Sequence, residues 1–319
     1  MEDDDCRTWW NIAQSDPTAT FFHSPLWAKI TEAAGFNPAP QFPSTGQRDI
    51  VLPAVRETTS VSKLGATLNI SILHSTFAGC YGGIITKDNA VDAGEFYQEV
   101  QNRADVVNVV GNPIAGDLDL DWDSSEDFTQ ILDLSDGMDE VKKGFTNSRR
   151  RGIDAAREGG VTVREANSKI DWKTYFEAYQ DSLERWDNPT SNYDWPIFEQ
   201  IYELEQEYPE HISLYLACVD GNIASGAIIF SWNQHVDYWH GASFSEYFEY
   251  NPNDLLQYSI IKDSIDTGYR WYDFNPSGGH EGVVKFKSEF GPKRMKVNRK
   301  SHTDPKIKFA SMVKEKLGL

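Results

Sequence analysis

The stretch from Tyr269 to Gly291, YRWYDFNPSGGHEGVVKFKSEFG, gathers the groups best suited to chemistry. Trp271, Tyr272 and Phe274 are strand formers, with Asp273 and Asn275 as polar residues among them. Pro276, Ser277, Gly278 and Gly279 end that strand and force a loop. Past Gly282, the piece Val283 to Phe290 is expected to be extended again. Extended backbone puts Lys285 and Lys287 on one face and Val284, Phe286 and Ser288 on the other. A strand, a glycine-containing loop and paired cations suit an anion or a developing oxyanion. A hairpin edge with solvated lysines has the same composition. Asp273 and His240 stand as polar residues in otherwise apolar strands. Proton handling and a hydrogen-bonded place in the core both fit that pattern.

The elements around this stretch must position it. Upstream lie three expected antiparallel strands, Ser213–Val219, Ile223–Trp232 and Val236–Gly241, with turns at Asp220-Gly221-Asn222 and Asn233-Gln234. An amphipathic helix, Asp254–Thr267, follows them and ends at Gly268. Earlier still, a helix from Trp172 to Trp186 runs into the polar aromatic loop LERWDNPTSNYDW, which holds Arg185 and Tyr193; the next helix spans Pro196–Tyr208. A helix is expected from Asp136 to about Glu158, carrying Arg149, Arg150, Arg151 and Arg157. Such arginines bind phosphate or pair with carboxylates, and the many carboxylates here favour pairing.

The first half opens with a helix over Phe21–Ala34, capped by Ser24 with Pro25 at its first position. Strands Ile50–Val55 and Ala66–Leu73 follow. A glycine-rich piece, Thr76–Thr86, allows close ligand approach or bulges at Gly79, Gly82 and Gly83. A helix over Val91–Asp105 and a strand over Val106–Val110 come next. The acidic segment Asn112–Asp127 is the expected domain boundary. Its alternating acids lack the glycine and terminal glutamate of a calcium loop.

The 319 residues have room for two domains. Lys plus Arg number 30 against 49 Asp plus Glu, a net charge of −19. An acidic surface of that kind suits a high-salt cytoplasm, and a halophilic archaeon is the expected source; an ordinary acidic protein is the alternative. From Lys285 onward, 11 basic residues face 3 acidic ones. That basic tail steers phosphates or an anionic substrate, or balances its neighbours. Three scattered cysteines and seven histidines without ligand spacing give no metal site. The MEDDD start is unlike a targeting peptide, and the longest apolar run, around Ala227–Trp232, is too short to span a bilayer. A cytoplasmic protein without stable membrane insertion is expected.

The order YDFN, glycine loop, KFKSEFG resembles the C-terminal signature of FemAB-like proteins. This branch of the GNAT superfamily includes the peptidoglycan interpeptide-bridge aminoacyltransferases. FFHSPLWAKI, RDIVLPAV, FAGCYGGIIT, SRRRGIDAAREGGVTV and the run LYLACVDGNIASGAIIFSWNQHVDYWHGAS resemble further family segments in order, over most of residues 20–300. The resemblance implies an α+β fold of two GNAT-like modules, each a mixed, mainly antiparallel sheet flanked by helices. The expected limits are 1–127 and 128–303, with a basic C-terminal helix over 304–319.

The resemblance also implies N-acyl transfer of an acyl or aminoacyl group to an amino group on a sugar or peptide precursor of a cell-surface polymer. A non-catalytic binding protein on the same fold is the alternative. By the resemblance Lys287, or Lys285, stabilises transition-state charge, with Asp273 beside them. Arg185 best matches the arginine that contacts an acidic acceptor, although its neighbours depart from the family pattern. Tyr193, His240, Asn275, Gly278 and Gly279 complete the expected binding residues. The donor stays open between acyl-CoA and aminoacyl-tRNA. The usual basic-x-x-Gly-x-Gly/Ala phosphate loop is replaced by Tyr250-Asn251-Pro252-Asn253-Asp254. The acidic body argues against a nucleic-acid footprint beyond tRNA at the basic tail, so no DNA partner is expected. The chain is read as a monomer or homodimer.

Overall fold

The computed structural model describes residues 3–46, 48–63, 66–77, 80–87, 93–116, 118–185 and 193–308. Helix α1 (Asp3–Ser15) leads to α2 (Pro25–Ala33), where Ser24 accepts a hydrogen bond from the Trp27 N–H and Pro25 fills the first position. Strands β1 (Asn37–Pro38), β2 (Ile50–Val51), β3 (Val55–Lys63), β4 (Ala66–His74) and β5 (Ile85–Thr86) follow, then α3 (Ala93–Val100) and β6 (Val106–Val110). Next come β7 (Asp123–Asp133), α4 (Met138–Gly144), α5 (Asn147–Glu158), β8 (Thr162–Glu165), α6 (Lys169–Arg185) and α7 (Trp195–Glu207). Then come β9 (Ile212–Val219), β10 (Asn222–Trp232), β11 (His235–Ser243), α8 (Pro252–Thr267), β12 (Trp271–Asp273), α9 (Glu281–Ser288) and β13 (Lys293–Thr303). Gly79, residues 91–92, the loop 186–192 and the tail from 309 lie outside the described residues.

Two expected elements differ. The helix read over 136–158 is two helices, because Phe145 is extended (φ −65°, ψ 137°) and the Thr146 hydroxyl accepts from the Arg149 N–H to cap α5 afresh. The piece Val283–Phe290, read as extended, belongs to α9.

The chain packs as two units, Met1–Asp127 with Lys296–Leu319, and Phe128–Met295. In the first unit the strands run β1-β3-β4-β6-β13. β4 and β6 are parallel, from Ile72↔Val106 to His74↔Asn108, with α3 in the crossover. Residues from Lys296 to Thr303, expected in the second module, group with the first. They zip antiparallel onto β6, from Arg299↔Val110 to Thr303↔Val106. The core of this unit holds Ile50, Leu52, Leu73, Phe96, Val100 and Val107.

In the second unit the order is β7-β12-β11-β10-β9-β8. β8 to β11 are antiparallel neighbours; β11 and β12 are parallel, with α8 as the crossover. Alternation along β10 gives the sheet two covered faces. Ala227 and Ile229 join the core of Leu255, Leu256 and Ile260 from α8. Gly226, just before Ala227 and on the opposite face, lies against Tyr175 of α6. Each unit is thus a mixed, mainly antiparallel sheet flanked by helices. Among the described residues no helix is long and apolar enough to cross a membrane.

Candidate active site

β11 and β12 pair over three residues only, ending at Asp237↔Asp273. β11 continues to Ser243 while β12 stops, so their carboxyl ends part. Crevices of this kind, at the carboxyl ends of parallel strands, are where open sheets bind ligands. Asn275 stands at this fork in the left-handed region (φ 58°), which asparagine tolerates. Its side-chain N–H₂ donates across the opening to the Tyr238 carbonyl at 3.2 Å. Its own backbone carbonyl accepts from the Lys287 amine at 2.8 Å. Asp273, 2% exposed, accepts from the Thr129 hydroxyl at 2.5 Å and the Asn275 N–H at 2.7 Å.

Lys287 is 4% exposed. Burial lowers its amine to about 7, against the opposing pull of the Asp273 charge. The amine lies 5.9 Å from the centre of the Tyr238 ring. Lys285 does not share this position. Two residues along a helix are about 200° apart, so Lys285 on α9 is exposed while Lys287 points inward. The expected one-faced pair of cations required a strand that does not form. Gly278 and Gly279 are exposed, at φ 57° and 82°, and shape the turn that feeds α9.

Just past α9, Glu289 pairs with Arg149 of α5, which also pairs with Asp254 in the first turn of α8. The guanidinium lies 4.6 Å and 5.1 Å from the ring centres of Phe286 and Phe290. Arg157 sits 3.7 Å from Asp154, and Arg150 donates to the Lys143 carbonyl at 2.8 Å. These arginines therefore serve separate partners instead of forming one anion site.

The third group stands on β11, where the register shifts: Ile228 faces His240, Ile229 faces Tyr238, and Trp239 is the extra residue of a bulge. Tyr238 packs edge-on to Phe274 at 6.3 Å, with the α8 core. His240 lies instead among the rings of α6 and α7, 4.6 Å from Tyr179 and 5.5 Å from Phe198. The Tyr175 hydroxyl is 2.5 Å from His240 Nδ1, and burial lowers the imidazole to about 3, so it is neutral near pH 7. Tyr193 stacks on Trp239 at 5.5 Å, and its N–H donates to the Tyr179 hydroxyl at 3.0 Å. Arg185 donates to the Ser243 carbonyl at 3.1 Å, pairs with Asp181 and lies 5.0 Å from the Phe248 ring centre.

The predicted residues thus form two sets: Lys287, Asp273 and Asn275 at the end of β12, and Arg185, Tyr193 and His240 toward α6. Tyr238, overlooked in the sequence, stands beside the first set. The signal for it was weak: one of two adjacent aromatics in VDYWHG, ahead of Gly241, where any Cβ would collide with the Tyr238 hydroxyl. Among the described residues no cluster of His, Cys, Asp or Glu is arranged to hold a metal ion. A separate polar cavity of about 430 Å³ lies in the first unit, lined by His74, Asn108, Ser124, Arg299 and Ser301 among others; none of the predicted residues lines it.

The profile of the acetyltransferase (GNAT) domain family matches residues 142–288. FemX shares the fold, with a TM-score of 0.67 at 16% identity over 92% of this chain and 95% of that one. The C-terminal domain of an Agrobacterium fabrum protein named lysylphosphatidylglycerol synthetase gives 0.61 at 11% identity, over 97% and 94% of the two chains. L-PGS from Bacillus licheniformis gives 0.55 at 10% identity, over 90% and 94%. At these identities the likeness is one of fold. No curated protein matches the sequence.

Proposed function

We propose, from the premise that the chain carries a GNAT acetyltransferase domain in a fold shared with FemX, that it is an N-acyltransferase. It moves an acyl or aminoacyl group onto an amino group of a sugar or peptide precursor of a cell-surface polymer. The observation that carries this reading is Lys287: a lysine amine buried at the open end of a parallel strand pair and fixed to the Asn275 carbonyl. Attack of an amine on an ester or thioester builds negative charge on the carbonyl oxygen. A fixed cation in a water-poor site stabilises that charge far better than solvent does. Asp273 keeps the Asn275 turn in place through the Asn275 N–H.

For the donor we favour an aminoacyl ester, as on aminoacyl-tRNA, over acyl-CoA. A helix start favours a pyrophosphate through its free N–H groups. At α8 that position carries Asp254, already held by Arg149, so a bound phosphate would meet a carboxylate. The name lysylphosphatidylglycerol synthetase also points to an aminoacyl group, for that relative, and makes a lipid headgroup the competing acceptor.

The test is an acyl-transfer assay with acetyl-CoA, longer acyl-CoAs and aminoacyl-tRNA, each with amine-bearing sugar and peptide acceptors and with phosphatidylglycerol. Turnover with an aminoacyl donor, lost in Lys287→Ala with the fold intact, is expected. Turnover with acyl-CoA alone would overturn the donor assignment. A folded protein that binds a donor or acceptor without turnover would be the non-catalytic binding protein instead.

A further inference from the structure

We propose that Asp237 is a positioning residue for the acyl transfer: it keeps a proton at neutral pH and shares it with Asp273, so that the two buried carboxyls carry one negative charge between them. This rests on the N-acyltransferase reading and deepens it, by saying what fixes the charge of Lys287.

Register and burial carry it. Asp237 and Asp273 stand directly opposite each other on the parallel strands β11 and β12. Val236 and Tyr238, on either side of Asp237, pack with the α8 core, and so do Tyr272 and Phe274, on either side of Asp273. Alternation along a strand then turns both carboxyls to the other face of the sheet, side by side. Paired strands lie about 4.8 Å apart. Asp237 is 0% exposed and Asp273 2%. Two carboxylates that close in a dry site do not both ionise. Phe230 of β10 lies opposite Asp237, and Ile131 of β7 lies opposite Asp273; both are buried and apolar. The titratable groups placed to face the pair are buried His235, two residues earlier on the same face of β11, Asp133 of β7, which reaches solvent, and Lys287 from α9.

The proton belongs on Asp237. Asp273 already accepts two hydrogens at Oδ1, from the Thr129 hydroxyl and the Asn275 N–H. Donors of that kind favour the ionised form, so Asp273 is the carboxylate and Asp237 the acid. One negative charge then answers one ammonium at the fork, and it is the Asp273 charge that pulls the Lys287 amine toward its charged form. With both carboxyls ionised, one buried negative charge would be left over, which is costly.

The first test needs no substrate. In the infrared difference spectrum of wild type minus Asp237→Asn at pH 7, the C=O stretch of a protonated carboxyl should stand as a band that moves in heavy water. Its absence would overturn the proposal and make Asp237 a carboxylate balanced by an imidazolium at His235. The second test reads the role. In Asp237→Leu, Asp273 loses its hydrogen-sharing neighbour in apolar surroundings and takes up a proton, so Lys287 loses its counter-charge. Loss of a nearby opposite charge moves a pKa by about 1–3 units. With the donor that supports transfer and hydroxylamine as acceptor, the descending limb of kcat/KM should move from about 7 to about 6 or below. Relative to wild type that is roughly a tenfold loss at pH 8 and little loss at pH 5. Asp237→Asn stays neutral and still offers an N–H to Asp273, so it should hold the limb near 7. A limb that stays put in Asp237→Leu, or an equal loss at every pH, would overturn the proposal and leave Asp237 a packing residue; so would a limb that falls as far in Asp237→Asn. If the wild type transfers nothing from any donor, the N-acyltransferase reading fails, and the shared proton is decided by the infrared band alone.

Discussion

Lys287 is a residue whose usefulness opposes its stability. Its amine falls from 10.5 to about 7 on folding, so the unfolded chain binds the extra proton between those values. Stability therefore rises with pH across that window, and the burden of the buried lysine is greatest at and below pH 7. At 1.36 kcal/mol per unit the burden is on the order of 4–5 kcal/mol. Lys287→Met should abolish transfer and raise the melting temperature at pH 6 by several degrees. That gain should shrink toward pH 10; an unchanged or lower melting temperature at pH 6 would contradict the burial argument. The same titration gives a rate prediction. With an acceptor that stays uncharged near neutrality, such as hydroxylamine, kcat/KM should fall as pH rises through about 7, because the ammonium form is the active one. A rise through that pH would make Lys287 a general base. The sequence made Lys287, Asp273 and Asn275 visible because charged or amide side chains inside an apolar run stand out. Tyr238 did not, because an aromatic residue in a strand is ordinary and only the bulge at Trp239 gives it a special place.

At the scale of elements, α9 shows why Lys285 was paired wrongly with Lys287. VVKFKS alternates like a strand, and eight residues are too few to reveal a helical period. What secures the helix is tertiary: Arg149 gathers Glu289 beyond α9 and Asp254 at the start of α8. The local pattern contains no trace of a partner on α5, 140 residues away in sequence. This knot should behave as buried ion pairs do. Arg149→Met leaves two carboxylates without their cation and should cost about 3–5 kcal/mol, read as a lower urea midpoint. Adding Asp254→Leu and Glu289→Leu should recover most of that loss; no recovery would mean that the guanidinium acts through its stacking on Phe286 and Phe290 instead. The hairpins β9–β10 and β10–β11, in contrast, were legible, because Asp-Gly-Asn and Asn-Gln turns separate clear apolar runs.

At the scale of the whole chain, the charge of −19 sets how the protein responds to salt. Self-repulsion among carboxylates weakens as the Debye length shrinks from about 30 Å at 0.01 M to 3 Å at 1 M. The melting temperature should climb on going from low to molar sodium chloride, and a flat profile would mean that local ion pairs already cancel the repulsion. The acidic segment before Asp127 suggests a division of the chain, but nothing in the sequence suggests that residues 296–303 return to pair with β6. β13 is polar along most of its length and carries no alternation to announce a strand. Because β13 pairs with β6, a fragment of residues 1–127 should not unfold cooperatively in urea, whereas the same fragment joined through a flexible linker to residues 296–308 should. Equal cooperativity in the two fragments would show that β6 does not need β13.

That late strand also sets an order of events on the ribosome. The first unit is begun first and finished last, since the strand that covers β6 is made only after the 168 residues from Phe128 to Met295. At about 5–20 residues per second, the β6 edge waits roughly 8–34 s before its neighbour emerges. Unpaired edges of that kind recruit other chains. The nascent protein therefore makes the whole of its second unit while the β6 edge of the first stays open, and it is in that interval that a holding chaperone would have most to do.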